Sequence, residues 1–509
     1  MTKQRSEIKG DRALWRSAFG VQLILGLILG NLYLLSHNTL HNNGRWRSTK
    51  YEAAMHLMAS EAYYLRPQAL ASNRLNLSAW HGFNEVMYHE PVELQSIKAD
   101  VDLGANAYVS VIFNATETGY AGVRLSNNPH YSSMLFTCAP DGTFVKKQGL
   151  AVSGILAGQH VVQIELTSEN VVIIALDGAA LGEFHLDVEQ PQRVGFRGGL
   201  RTVTVDDVLI RRTDGDAIYE GFSPRGNIIK TTAGAIALVL LVNLPIALWI
   251  RRRRGSRRRA LFHVLMWNVL AVVSSVGFYA VQYSTGHYYP DLTAEMQWTE
   301  EQWRNMQGTV IMQAIKENYD EIAIEGVVRI LALGTSQTWG CGASAPDRTM
   351  MHLLENQLNT AVKCRYEIIN AAVSGTGSGH MYQSYRQLVR YHPDIVLVNL
   401  ANNDPADDWF TVYLEKIIDL GATHGSTVVL VAEPNCLEHG ERGLFAKYER
   451  MRLVAAERNV NFIDLHARMR QRYEEGFLWW DFVHPTDCGH RIAAEALFDG
   501  LQPILPPCQ

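Results

Sequence analysis

Ile330-Leu-Ala-Leu-Gly-Thr-Ser-Gln-Thr-Trp-Gly340 decides how this chain is read. Ile330, Leu331 and Leu333 form a short apolar run, the pattern of a buried strand. Gly334 permits a sharp bend at its end, and Ser336 follows just beyond. An open α/β sheet presents its chemistry there, outside the carboxyl ends of its strands. A serine so placed is a candidate nucleophile only if a base and an oxyanion site arrive from elsewhere, because its hydroxyl alone is weakly reactive. Working outward, Asn370-Ala-Ala-Val-Ser-Gly375 follows the strand-like run 366–369. Asn399-Leu-Ala-Asn-Asn-Asp404 follows the run 394–398, and Trp480-Asp-Phe-Val-His-Pro485 comes later still.

Serine, glycine, asparagine and histidine in that order resemble the four blocks of the SGNH, or GDSL-type, serine hydrolases. The first block of that family is commonly Gly-Asp-Ser-x-Thr-x-Gly; here it is Gly334 to Gly340, with Thr335 in place of the aspartate. The third is usually Gly-x-Asn-Asp; here Ala401 replaces the glycine. The last, Asp-x-x-His, is intact as Asp481 and His484. The resemblance covers 327–509, less than half of the 509 residues. It implies a catalytic set of Ser336, Asp481 and His484. It also implies an oxyanion hole made by the amide of Ser336, the amide of Gly375 and the side chain of Asn403. Asn402 and Asp404 are read as loop hydrogen-bonders, and His490 as structural.

Around these blocks strand-like and helical stretches alternate. Runs at 327–333, 366–369, 394–400, 427–432 and 460–465 are separated by helical patterns at 349–358, 380–391 and 409–420. That alternation predicts an α/β domain over 327–509 with a doubly wound parallel sheet. A linker helix is expected within 284–326.

Upstream the period changes to two. Ala107 to Phe113, His160 to Leu166, Val171 to Leu176 and Thr202 to Ile210 alternate as strands, with turn signals at Asn127-Asn-Pro129, Pro140-Asp-Gly142 and Asp177-Gly178. Many short strands at this spacing predict an all-β antiparallel sandwich over 93–212, reached through a helical linker at 36–92. The pattern resembles a concanavalin-like jelly roll. Such modules often bind glycans; a spacer without a ligand is the equal alternative, since fold does not fix function. Trp80, Tyr108, Tyr120 and Tyr131 are the aromatics that could stack on sugars, although aromatics in strands usually serve the core. The sandwich supplies none of the four blocks, so it is expected to leave the chemical step untouched.

Three apolar runs, 18–35, 233–250 and 260–283, approach the ~20 residues a spanning helix needs. They predict three transmembrane helices. Basic residues precede the first (1–17) and fill the loop 251–259, which places both segments in the cytoplasm. Both large domains then lie on the extracytoplasmic side of an integral membrane protein. Disulfides are permitted there. Cys341 and Cys488 each follow a block closely and suit a loop-bracing bridge, although sequence does not assign pairing. The net charge of −5 and the clustering of arginines at one loop argue against a nucleic-acid partner. No Cys-x-x-Cys or His-rich spacing calls for a metal, and no cofactor is implied.

The leading function is a membrane-anchored serine esterase that cleaves acyl esters, such as O-acetyl, on a cell-surface glycan or lipid. An O-acyltransferase of surface polysaccharide would use the same acyl-enzyme, but three spans are few for a unit that imports the acyl donor. A non-catalytic glycan-binding protein is the third reading.

Overall fold

The computed structural model describes residues 46–48, 74–77, 85–88, 90–222 and 300–506, less gaps at 89, 117, 153–156, 168, 200, 202, 362–363, 405–407 and 437–443, together with positions 262, 266 and 268.

The three expected membrane spans are corrected by it. Among the described residues no helix is long and apolar enough to cross a membrane. The longest, Glu300–Asn318 (α1), has 19 residues but carries Glu300, Glu301, Arg304, Lys316 and Glu317. A charged side chain at a bilayer centre costs about 2.5–3.5 kcal/mol or more. The runs 18–35, 233–250 and 260–283 lie outside the described residues, save Phe262, Met266 and Asn268. The integral-membrane placement, with both domains beyond a bilayer, is thus carried by no helix among the described residues.

The middle of the chain forms antiparallel sheets, as its period of two predicts. In one sheet Ala179–His185, Val171–Leu176, Gly158–Leu166, Leu94–Leu103 and Val203–Arg212 lie side by side in that order. Alternate residues of the last strand are buried, Val203 and Val205 and then Val208 and Ile210. A register shift between Asp206 and Leu209 changes the phase, with Asp207 at φ +46°. The extra residue of a bulge keeps the apolar set facing inward.

The other sheet has the order Glu85–Tyr88, Arg193–Gly198, Tyr108–Thr116, Gly119–Ser126, Met134–Cys138 and Phe144–Gly149. Its central strands are buried on both faces: every residue from Tyr108 to Phe113 and from Ala121 to Leu125 is buried. On one face Glu85, Arg197, Ser110, Arg124 and Met134 form a cross-strand row. That face meets the α/β domain. Tyr108, Met134, Phe136, Cys138 and Phe144 cluster with Phe477 of that domain. Gly122 lies opposite Phe136, and any Cβ there would collide with the Phe136 ring. Tyr120 stacks on Phe477 and Tyr131 on Tyr473, with centroids 6.0 and 5.4 Å apart. The tyrosines that the sequence offers for sugar stacking, Tyr108 included, are thus spent on packing; Trp80 lies outside the described residues.

The α/β domain has a five-stranded parallel sheet of β1 (Val327–Gly334), β2 (Arg365–Asn370), β3 (Ile395–Leu400), β4 (Thr427–Ala432) and β5 (Asn461–Ile463), in the order β2-β1-β3-β4-β5. Its helices are α2 (Ser336–Trp339), α3 (Met350–Ala361), α4 (Ser378–Leu388), α5 (Asp408–His424), α6 (Leu444–Glu457), α7 (Leu465–Arg470) and α8 (Asp487–Leu501). Strand residues alternate between two cores. Leu331 and Leu333 face α4, α5 and α6, while Ile330 and Ala332 face α3, α7 and α8. Both faces are covered, which is the doubly wound arrangement, and it leaves the carboxyl ends of β1, β2, β3 and β4 free to carry side chains.

Candidate active site

Ser336 opens α2 directly after β1. Thr335 at the helix cap is extended (φ −104°, ψ −153°), so the chain turns sharply between strand and helix. Gly334 is needed for close approach, because a Cβ there would run into the Thr338 side chain. The turn is tied to its neighbours: Asn399 Nδ2 donates to Thr338 Oγ1 at 2.9 Å and Asn370 Nδ2 to Thr338 O at 2.8 Å.

His484 comes to this turn from the far end of the domain. Its Nε2 lies 3.1 Å from Ser336 Oγ. Its Nδ1 lies 2.8 Å from Asp481 Oδ2. Asp481 is buried, and its Oδ1 accepts the amides of Val483 at 2.8 Å and His484 at 2.6 Å. A carboxylate so bound fixes an Nδ1–H tautomer, which leaves Nε2 as an acceptor facing the serine hydroxyl. Asp481 and His484 sit on a tight hairpin. Trp479 bridges Pro485, and Trp480 N donates to His484 O at 2.9 Å. Thr486 caps α8 by accepting Gly489 N at 3.1 Å, and its hydroxyl donates to Phe477 O.

The second and third blocks lie together. Gly375 takes φ +72°, a conformation that glycine adopts freely. Asn403 Nδ2 donates to Thr376 O at 3.1 Å, one residue beyond Gly375. Asp404 Oδ1 accepts Ser378 N at 2.7 Å and Ser378 Oγ at 2.6 Å. The sequence-derived residues of all four blocks are therefore set at the carboxyl ends of β1, β2 and β3 and on the hairpin before α8. Asn402 bonds within the loops, to Pro434 O and Asn435 Nδ2, each at 3.2 Å. His490 is buried; its Nδ1 accepts Met350 N and its Nε2 donates to Cys341 O. Burial pushes its pKa down to about 4. The suggested Cys341–Cys488 bridge is corrected: no disulfide joins the two cysteines. Each is buried within a packed segment, where a thiol serves as a small hydrophobe.

Residues 332–492 match the model of the GDSL-like lipase/acylhydrolase family, a range that contains every residue of the four blocks. The C-terminal domain is a GDSL-like serine ester hydrolase. The non-catalytic reading of the chain falls with that match. Solved structures resemble the hydrolase domain at low identity. Axe2, an acetylxylan esterase from Geobacillus stearothermophilus, is 20% identical, with 34% of this chain and 94% of that one covered and a TM-score of 0.30. A lipolytic G-D-S-L family protein from Veillonella parvula DSM 2008 is 17% identical over 35% of this chain and 100% of its own, with a TM-score of 0.30. TesA is 20% identical over 35% and 99%, with a TM-score of 0.32. No curated protein matches the chain.

Sequence reasoning missed three residues around the hydrolase site. Glu433, at the end of β4, accepts the Thr335 hydroxyl and the Asn402 amide. Its place just past a strand of the parallel sheet was the available signal. Lys447 of α6 donates from Nζ to Ala401 O at 2.8 Å and to Asp404 O. Arg197, from the middle sheet, donates to Trp479 O at 2.6 Å and pairs with Glu85, all of them buried. Its guanidinium lies 4.3 Å from the Phe477 centroid and 5.2 Å from that of Trp480. Burial works against the charge of Arg197, but the Glu85 carboxylate together with Tyr120 and Tyr108 outweighs it and the pKa is raised.

Proposed function

We propose that the protein hydrolyses acyl esters through an acyl-enzyme on Ser336. The observation that carries the proposal is the chain of contacts from Ser336 Oγ to His484 Nε2 and from His484 Nδ1 to Asp481. Ser336 Oγ attacks the ester carbonyl carbon as its proton passes to His484 Nε2. The tetrahedral oxyanion is held by the amides of Ser336 and Gly375 and by Asn403 Nδ2. The C–O bond then breaks, and His484 returns the proton to the departing alcohol. Water attacks the acyl-enzyme by the same route in reverse, releasing the carboxylic acid and restoring Ser336.

The acyl carrier we assign is a glycan, with O-acetyl as the simplest acyl group. Support comes from the middle domain. A groove of about 990 Å³ on its outer sheet is lined by Gln95, Lys98, Gln163, Glu165, Gln190 and Arg211. Amide and charged side chains of this kind suit a hydroxyl-rich ligand rather than an apolar one.

The test is made on the whole chain with a short p-nitrophenyl ester and a serine-directed phosphonate. Ser336→Ala is expected to lose labelling and to lower turnover by at least ~10³-fold, as removal of a nucleophile does. His484→Ala should come close to it. Ester cleavage at the wild-type rate by Ser336→Ala would sink the proposal.

A further inference from the structure

The site departs from the family pattern at two positions, and one pair of buried residues backs both. Thr335 stands where the first block commonly has an aspartate. Its hydroxyl donates to Glu433 Oε1, so a carboxylate still serves that turn, supplied by the end of β4. Glu433 is fully buried. Its other oxygen accepts Asn402 N at 2.8 Å, the residue beside Asn403. Ala401 stands where the third block usually has glycine, and it takes φ +148°. An L residue held in such a region costs of order 1–3 kcal/mol. Lys447 grips that loop by its carbonyls, at Ala401 and Asp404. Thus the first block is held at 335 and the third at 401, 402 and 404, by one carboxylate and one ammonium.

We infer that Glu433 is a positioning residue for hydrolysis: its carboxylate ties the turn of the nucleophile to the oxyanion loop, in place of the acid that the first block lacks. The inference rests on the roles proposed above for Ser336 and Asn403. Two donors, the Thr335 hydroxyl and the Asn402 amide, converge on Glu433. A carboxylate accepts from both; a carboxamide offers one acceptor and turns an NH2 toward the other donor. Each donor is one residue from a reacting group, and a misplacement of 1 Å at a reacting centre costs up to ~100-fold.

The protonation state of Glu433 changes in the neutral range. Burial pushes its pKa up to about 7, against the hydrogen bonds from Thr335 and Asn402, and Asp404 adds to the rise. Titratable groups on the neighbouring helices are Tyr448 and Lys447 on α6, the latter bonded to Ala401 O and Asp404 O, and His466 on α7, which accepts Asn435 N. Tyr448 donates to Glu433 O at 2.6 Å, and His466, pushed down to about 4 by burial, stays neutral. The sign follows from the raised value. The fold favours the neutral acid, so the stability that Glu433 contributes is full below its ordinary value of 4.5 and is lost as pH rises through about 7. Positioning needs the carboxylate and is gained over the same window. Stability and turnover therefore move in opposite directions there.

The test compares Glu433→Gln with wild type and with Ser336→Ala, measuring kcat and KM on p-nitrophenyl acetate from about pH 5 to 9. Glu433→Gln is expected to lower kcat at the alkaline end by roughly 10–100-fold with little change in KM. It should also remove from the acid limb the ionisation that Glu433 contributes. Thr335→Asp combined with Glu433→Gln, which returns the acid to the first block, should recover most of kcat. Wild-type kcat and an unchanged acid limb in Glu433→Gln overturn the inference. If Glu433→Gln does not fold, Thr335→Val takes its place: a similar loss of kcat supports the inference and wild-type kcat overturns it. An active Ser336→Ala would instead overturn the proposed function, so the two failures are told apart.

Discussion

The two halves of the hydrolase site are held in different ways. The half that carries Ser336 and Asn403 is braced from inside its own domain, by Glu433 and Lys447 buried under the strand ends. The half that carries Asp481 and His484 is braced from outside, by the middle sheet. Arg197 holds Trp479 O; Phe477 N donates to Gly142 O and Cys488 N to Asp141 O, each at 2.9 Å. Arg124 and Lys147 hold Glu474 a few residues upstream. The difference teaches that the middle domain can touch the hairpin of Asp481 and His484 even though it contributes none of the four blocks. Any influence it has on the proposed chemistry is expected to run through the hairpin on which His484 rides.

The comparison makes separable predictions. Asn403 is exposed, so losing its bond to Thr376 O should cost the fold little while Asn403→Ala removes an oxyanion donor. Turnover is expected to fall about 10²–10³-fold, or roughly 3–4 kcal/mol in the barrier, with an unchanged unfolding midpoint. A matching loss of stability would blur the distinction between the two halves. Arg197→Ala should do the reverse. It leaves the Glu85 carboxylate buried without its guanidinium, which costs about 3–5 kcal/mol of stability. The loosened hairpin should cost up to ~100-fold in kcat, read in protein that is still folded below its lowered midpoint. If Arg197→Ala turned over at the wild-type rate, the outside brace would have no bearing on catalysis. Gly142→Ala is the mildest probe. Gly142 takes φ +94° and its Cβ would press on Phe477 O, so a loss of about 1–3 kcal/mol in stability and a few-fold drop in kcat are expected. Thermal unfolding followed alongside ester cleavage separates the two readouts.

Much of this was legible in the sequence, for physical reasons. Ser336, Gly375, Asn403, Asp481 and His484 are picked out by the resemblance to the four family blocks, and the structure sets them at strand ends and on the hairpin before a helix. The strands around them were read from short apolar runs, and those of the middle domain from period two. Arg197 could not be read. It meets Glu85 across 112 residues and Trp479 across 282, and no local pattern encodes such a pairing. The aromatic face stays open in the sequence for the same reason: Tyr120 looks the same whether it awaits a sugar or Phe477. The Cys341–Cys488 bridge was inferred from nearness to the blocks, which says nothing of where the thiols point. Glu433 carries only a weak local signal, its place just past a strand; its partner Thr335 lies 98 residues away, and no local pattern links the two.

The cross-strand row of Glu85, Arg197, Ser110 and Arg124 has a consequence for biosynthesis. All four residues leave the ribosome well before Phe477, and at roughly 5–20 residues per second the interval is tens of seconds. Throughout it, a face rich in aromatic rings and buried-type charges has no partner, and such a face is adhesive. The nascent chain must therefore wait with this surface uncovered, and the enzyme becomes competent only when its last portion docks. A ribosome that stalls between the two domains would release a sticky product rather than a weak esterase.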